Sequence, residues 1–160
     1  MIPITTRSKL DVAASAYMAG IVDGEGAFTV GRRRGWRKPH QYQLTVRVVT
    51  TDYSLAVWIQ ERFGGNIVKR KTINSKWRQS WTWQISSKQD VTYLLDNIEP
   101  YLQIKNKQAA LTKQFMSTRA LARPVPASSY ELYEEIWMHM TLLNMKGPRE
   151  RRDALLASGH

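Results

Sequence analysis

Cysteine is absent from the 160 residues, which excludes a disulfide scaffold, a thiol nucleophile and any Cys-ligated zinc, and with them the zinc fingers. Histidine is scarce: His40 and His139 stand isolated, and no Ser-His-Asp arrangement has its parts here. No apolar run approaches the length of a bilayer span, and the N-terminus lacks an apolar core followed by a cleavage site. The expectation is a soluble chain that stays inside the cell, in cytoplasm, nucleoid or an organelle matrix, is not secreted and has no membrane partner. Repeats and low-complexity stretches are also missing.

Acid is missing from two long segments. Residues 26–51 contain Arg32, Arg33, Arg34, Arg37, Lys38 and Arg47 without an Asp or Glu, and residues 64–86 contain Lys69, Arg70, Lys71, Lys76 and Arg78, again without one. Elsewhere bases and acids balance, so the whole net charge of +11 sits in two blocks. A localised basic field points to a polyanion, although on charge alone a solvated face remains the alternative.

The periodicities predict an α+β domain with an antiparallel sheet. An Ala-rich helix spans about Leu10–Asp23 and stops at Gly24 and Gly26. Ala27–Arg33 and Gln41–Val49 read as strands joined by a basic hairpin loop, Arg34 to Pro39. Asp52 caps a helix ending at Gly64-Gly65; strands Asn66–Lys71 and Ser80–Ser86 follow; Ser87 and Asp90 form a capping pair for the next helix. Further helices are expected over 105–119 and 129–144, with a short one after Pro148. The prolines at 124 and 126 suggest a core domain over 1–121, a linker over 122–128 and a C-terminal helical extension over 129–160.

The two strand pairs coincide with the two basic blocks. If Phe28, Val30, Leu44, Val46, Val48, Val68, Trp81, Trp83 and Ile85 face the helices, the opposite face carries Thr29, Gly31, Arg33, Gln41, Gln43, Thr45, Arg47, Lys69, Lys71, Ser80, Thr82 and Gln84. With Arg32, Arg34, Arg37, Lys38, Arg70, Lys76 and Arg78, these are the candidate DNA contacts. A ribbon of Arg, Lys and Gln fits the major groove of duplex DNA, where Arg and Lys read guanine and Gln reads adenine. Two tryptophans fall on the apolar face and are read as core rather than as stacking platforms.

The run from Tyr17 to Phe28, YMAGIVDGEGAF, joins a helix of small residues to two acids flanking a glycine, at the mouth of the first basic strand. Small residues admit a second helix at close range, with Met18, Ala19, Gly20, Val22 and Asp23 as the candidate dimer interface. A carboxylate delivered to the start of a groove-facing sheet is where a hard cation could meet phosphate. Two chains packed about a two-fold axis would bring two copies of Glu25 together.

This run resembles the LAGLIDADG motif, and the chain is similar to the single-motif, homodimeric LAGLIDADG homing endonucleases. The helix-strand-strand-helix-strand-strand-helix order extends the likeness to about Arg119. The resemblance implies that Glu25, where many relatives have Asp, binds the catalytic metal, that the Gly24 carbonyl also approaches it, and that Asp23 is mainly structural. Pro100–Ala109, PYLQIKNKQA, is similar to the family segment P-[FY]-L-x-[IL]-K-x-K-Q-A, whose first lysine lies beside the active-site water; here that is Lys105. The family's polar residue at the end of the second strand, often Gln, falls on Thr50, with Thr51 or Asp52 as substitutes in its water-orienting role. The implied activity is metal-dependent cleavage of both strands of a long, near-palindromic DNA site by a homodimer. Magnesium would be the cofactor, manganese a substitute, and calcium an ion that binds without supporting cleavage; no small-molecule substrate is expected. The alternative is a nucleic-acid-binding module without cleavage, either an RNA intron maturase or a DNA-binding regulator. Degenerate relatives of that kind commonly lose the acids, whereas Asp23 and Glu25 are both intact.

Overall fold

The computed structural model of the chain describes residues 7–33, 40–118, 127–145 and Ala157. Asp11 opens the first helix, α1 (Val12–Glu25), by accepting the Ala14 amide at 2.8 Å. α1 passes through Asp23-Gly24 instead of stopping there, and its cap is Gly26. Gly26 has an ordinary extended φ of −80°, so no left-handed stop is involved. Glycine is required because a Cβ would meet the Val22 carbonyl oxygen at 2.6 Å and the Val22 Cα at 2.7 Å, so closely does the first strand leave the helix.

The chain continues through β1 (Gly26–Arg33), β2 (Gln41–Thr50), α2 (Tyr53–Phe63), β3 (Asn66–Lys69), β4 (Trp81–Ile85), α3 (Lys88–Ile98), a 3-10 turn (Glu99–Tyr101), α4 (Asn106–Thr118) and α5 (Ala127–Asn144). Both expected caps form. Asp52 Oδ1 accepts the amides of Ser54 and Leu55 at the start of α2. The Ser87 hydroxyl accepts the Asp90 amide and donates to the Asp90 carboxylate at the start of α3. Gly64 and Gly65 have φ of 75° and 84°, the left-handed region that glycine enters without strain, and so end α2. Expected features at 34–39, 122–126 and beyond Pro148, including Arg34, Arg37 and Lys38, lie outside the described residues.

The strands form a four-stranded antiparallel sheet in the order β1-β2-β4-β3. The chain clusters into two compact units. One holds the residues up to Gly26 together with Arg47–Asn106; the other holds Ala27–Val46 and the chain from Lys107 onward, α5 included. α5 begins at Ala127, within the stretch expected as linker.

In the second unit, Phe28, Val30, Leu44 and Val46 are buried while Gly31, Arg33, Gln41 and Gln43 are exposed, the expected alternation. In the first unit, Trp83 and Ile85 are buried as expected, but β3 has the opposite phase. Its register pairs Asn66 with Gln84, Ile67 with Trp83, Val68 with Thr82 and Lys69 with Trp81. Directly opposed residues share a face, so Ile67 and Lys69 lie with the tryptophans, and Val68 lies with Thr82 and Gln84. The expected inward Val68 is therefore reversed and exposed, whereas Lys69, though opposite Trp81, is exposed at the end of the strand as expected.

Candidate active site and nucleic-acid face

The end of α1 and the segment before α4 meet through one carboxylate. Asp23 Oδ2 accepts the Gln103 amide at 2.7 Å, and Oδ1 accepts the amides of Ile104 and Lys105 at 3.2 and 3.0 Å. Three backbone donors thus converge on one side chain, which fixes residues 103–105 against the helix end. Lys105 returns the contact: its ammonium donates to the carbonyls of Val22 at 2.9 Å and Asp23 at 2.5 Å. Those carbonyls belong to the last turn of α1, where the helix leaves acceptors unsatisfied and its dipole is negative. Burial pushes the Lys105 ammonium below the ordinary lysine range, and the charges of Asp23 and Glu25 oppose that shift.

Glu25, the last residue of α1, is exposed, as is Gly24. Helix geometry leaves the Gly24 carbonyl without an intrahelical amide, since the chain turns into β1 within two residues. Asp23, Glu25 and Lys105 therefore form one electrostatic cluster, with Asp23 committed to backbone and Glu25 open. Thr50 stands elsewhere in its interactions: at the end of β2, its hydroxyl accepts the Asp52 amide at 3.0 Å. Of the proposed substitutes, Asp52 is engaged in capping α2, and the Ser54 hydroxyl and the Leu55 and Ser54 amides hold its carboxyl below the usual range. Thr51 is exposed in a bend.

The dimer-interface expectation needs correction. Met18, Ala19 and Val22 have no exposed surface, so they belong to the protomer's own core and cannot meet another chain. At about 100° per residue a contiguous run cannot share one helix face. Gly20 lies opposite those three, on an exposed side with Ala13, Ala16, Tyr17 and Gly24. A Cβ added at Gly20 or Gly24 meets nothing within 4 Å. This side, at i, i+3, i+4, i+7 and i+11 from Ala13, follows from the small-residue spacing, which the motif's consecutive letters do not display.

Within the second unit, Arg33, Gln41 and Gln43 are exposed, and Thr29 and Thr45 are half-buried, the Thr29 hydroxyl donating to the Thr45 carbonyl at 3.2 Å. Arg32, expected at the DNA, has the phase of Phe28 and Val30 instead. Its guanidinium pairs with Glu134 and lies 3.8 Å from the Trp137 ring centroid, both on α5. Glu134 also accepts the Tyr42 hydroxyl, and burial followed by that acceptor pushes the Tyr42 phenol up to about 12. Arg32 is thus an anchor for α5, a role hidden in the sequence because its partners lie about a hundred residues away.

Within the first unit, Arg47, Arg70, Lys71, Lys76 and Arg78 are exposed, and Ser80, Thr82 and Gln84 are half-buried. The Arg70 amide donates to the Ser80 carbonyl at 2.9 Å, carrying the β3–β4 pairing one step further and putting Arg70 in phase with Thr82. Gln79 ties the base of the connecting loop by donating to the carbonyls of Arg70 and Ser80 at 2.7 and 2.9 Å.

A family model described as LAGLIDADG endonuclease matches residues 18–116. Among solved structures, the chain is similar to an archaeal intron-encoded homing endonuclease, I-Vdi141I, complexed with DNA, at 12% identity and a TM-score of 0.72, over 85% of this chain and 87% of that one. It is similar to the homing endonuclease I-CvuI in complex with its target in the presence of calcium, at 20% identity and a TM-score of 0.67, over 93% and 96%. It is also similar to the LAGLIDADG homing endonuclease I-LtrWI bound to target DNA, at 17% identity and a TM-score of 0.65, over 84% of this chain but only 45% of the other. At these identities the likeness is one of fold. No curated protein matches the chain in sequence. Among the described residues, no helix is long and apolar enough to cross a membrane.

Proposed function

Because the chain belongs to the LAGLIDADG endonuclease family, we propose that it is a homodimeric, divalent-metal-dependent homing endonuclease that cuts both strands of a long, near-palindromic DNA site. The observation that carries this reading is the end of α1. There Glu25 stands exposed at the negative pole of a helix, beside a lysine held by that helix's carbonyls and below an exposed side of small residues. The coverage agrees with a half-site unit: the chain spans nearly all of I-CvuI and under half of I-LtrWI.

The donor chemistry fits magnesium or manganese. Glu25 offers a carboxylate and Gly24 a carbonyl, both hard oxygen donors. Among the described residues no group of three acids or histidines gathers within one protomer, and on this reading one chain supplies half a site. Dimerisation through Ala13, Ala16, Gly20 and Gly24 would supply the other half from a second Glu25. A divalent cation held there would activate water and neutralise charge developing on the phosphate.

The chain's own residues divide the remaining work. Glu25 binds and orients. Asp23 holds residues 103–105 so that Lys105 stays at the helix end. An ammonium has three donors, and Lys105 commits two of them to carbonyls, leaving one to face a phosphate oxygen or a water. Arg33, Gln41, Gln43, Arg47, Arg70, Thr82 and Gln84 present hydrogen-bonding groups suited to base edges, while Lys71, Lys76 and Arg78 on the β3–β4 loop suit phosphates.

The test uses duplexes enriched from a randomised pool by binding in calcium. The same duplexes are then incubated with magnesium, with manganese and with a chelator. Scission of both strands in magnesium and manganese, with none under chelation, is the expected result. Selective binding with no cutting in either metal would overturn the nuclease reading in favour of a module that only binds.

A further inference from the structure

We infer that Val68 is a specificity-determining residue that reads the C5 methyl group of a thymine at one position in each half-site. The inference rests on the DNA-binding reading above and adds a base to it. Its ground is the β3–β4 register, which turns Val68 to the face of Asn66, Thr82 and Gln84 and leaves it 49% exposed. An exposed valine on a strand is ordinary in itself. Its company decides the matter: Val68 sits directly opposite Thr82, with Asn66 two residues before it on the same strand and Arg70 two residues after it, just past the strand end, where its amide donates to the Ser80 carbonyl. Every neighbour named carries hydrogen-bonding groups, and Val68 has none. On the other face of the same strand, Ile67 opposes the fully buried Trp83, so the apolar requirement of the core is met without Val68.

In the major groove each base pair displays donors and acceptors, and only thymine adds a methyl group. A valine pressed onto an adenine, guanine or cytosine edge strips water from polar atoms and returns no hydrogen bond, which is unfavourable. Pressed onto a thymine methyl, it buries one apolar group against another. The same side chain thus favours one base and rejects three. Cytosine methylated at C5 presents the same methyl group and should be partly accepted in thymine's place.

The experiment measures binding in calcium to duplexes enriched from a randomised pool, with each thymine of the half-site exchanged in turn for deoxyuridine, which lacks only the methyl. For the wild type, exchange at one position should weaken binding about fourfold per half-site, the ~0.8 kcal/mol of one buried carbon. In Val68→Ala, the thymine and uracil duplexes should bind within about twofold of each other, since roughly 0.4 kcal/mol separates a twofold pair. The exchange series on the wild type needs no variant to fold, so it stands on its own. Unchanged wild-type affinity at every exchanged position would overturn the inference, as would an undiminished uracil effect in Val68→Ala, which would assign the methyl to another residue. Failure to enrich any duplex would instead strike the DNA-binding reading itself.

Discussion

One side of α1 carries Ser15, Met18, Ala19 and Val22, all buried, and ends beside Asp23 with its three backbone donors; the opposite side carries Ala13, Ala16, Gly20 and Gly24, all exposed, and ends beside Glu25. The two sides share a backbone and a stretch of sequence, yet every buried group serves the protomer, and only the exposed groups remain for a second chain or a cation. Stability and activity should therefore separate when the sides are altered in turn.

The largest effect is expected at Gly20. Gly20→Leu puts a bulky side chain where a second helix must approach, so dimerisation and cleavage should be lost together. A Cβ there meets nothing within the protomer, and replacing an exposed helical glycine stabilises a helix by up to about 1 kcal/mol, so helicity should persist in the isolated chain. Sedimentation across a concentration series, with circular dichroism alongside, reads both; a dimer that survives would dissolve the distinction between the sides.

Asp23→Ala should act through folding. Three amides and the Lys105 contact lose their anchor, for about 2 kcal/mol, or roughly 4–8 °C in Tm for a domain of this size. Thermal melts of variant and wild type check this. An unchanged Tm would mean the carboxylate is not fixing residues 103–105.

A smaller effect of opposite sign is expected at Ser15. Its hydroxyl is buried and has no hydrogen-bond partner among the described residues. Ser15→Ala removes that unsatisfied group and should raise stability by about 1 kcal/mol, with cleavage unchanged. A loss of stability in denaturant titration would point to a partner for the hydroxyl.

Much of this was legible in the sequence. The caps at Asp52 and Ser87, the alternation in β1, β2 and β4, and the acid pair after a small-residue helix all rest on local rules, and local rules need no partner. The departures arise where a partner decides. Ile67 and Val68 are adjacent and both apolar, so period two permits either phase of β3; pairing with Trp83 across β4 selects Ile67 for the core. Arg32 has the phase of the core, and its role depends on Glu134 and Trp137, far along the chain. The motif's consecutive letters obscured its geometry, since Gly20 and Val22 point to opposite sides of one helix.

The metal role of Glu25 is tested most directly by Glu25→Gln, which keeps the shape of the side chain and removes the charge a hard cation requires. Because Glu25 is exposed, the substitution should change stability by no more than about 0.5 kcal/mol. Gel shift and strand scission are then read on the same enriched duplex, with and without magnesium. The expected result is a folded dimer that binds as tightly as the wild type, or more so, and does not cut; scission at the wild-type rate in Glu25→Gln would place the metal elsewhere.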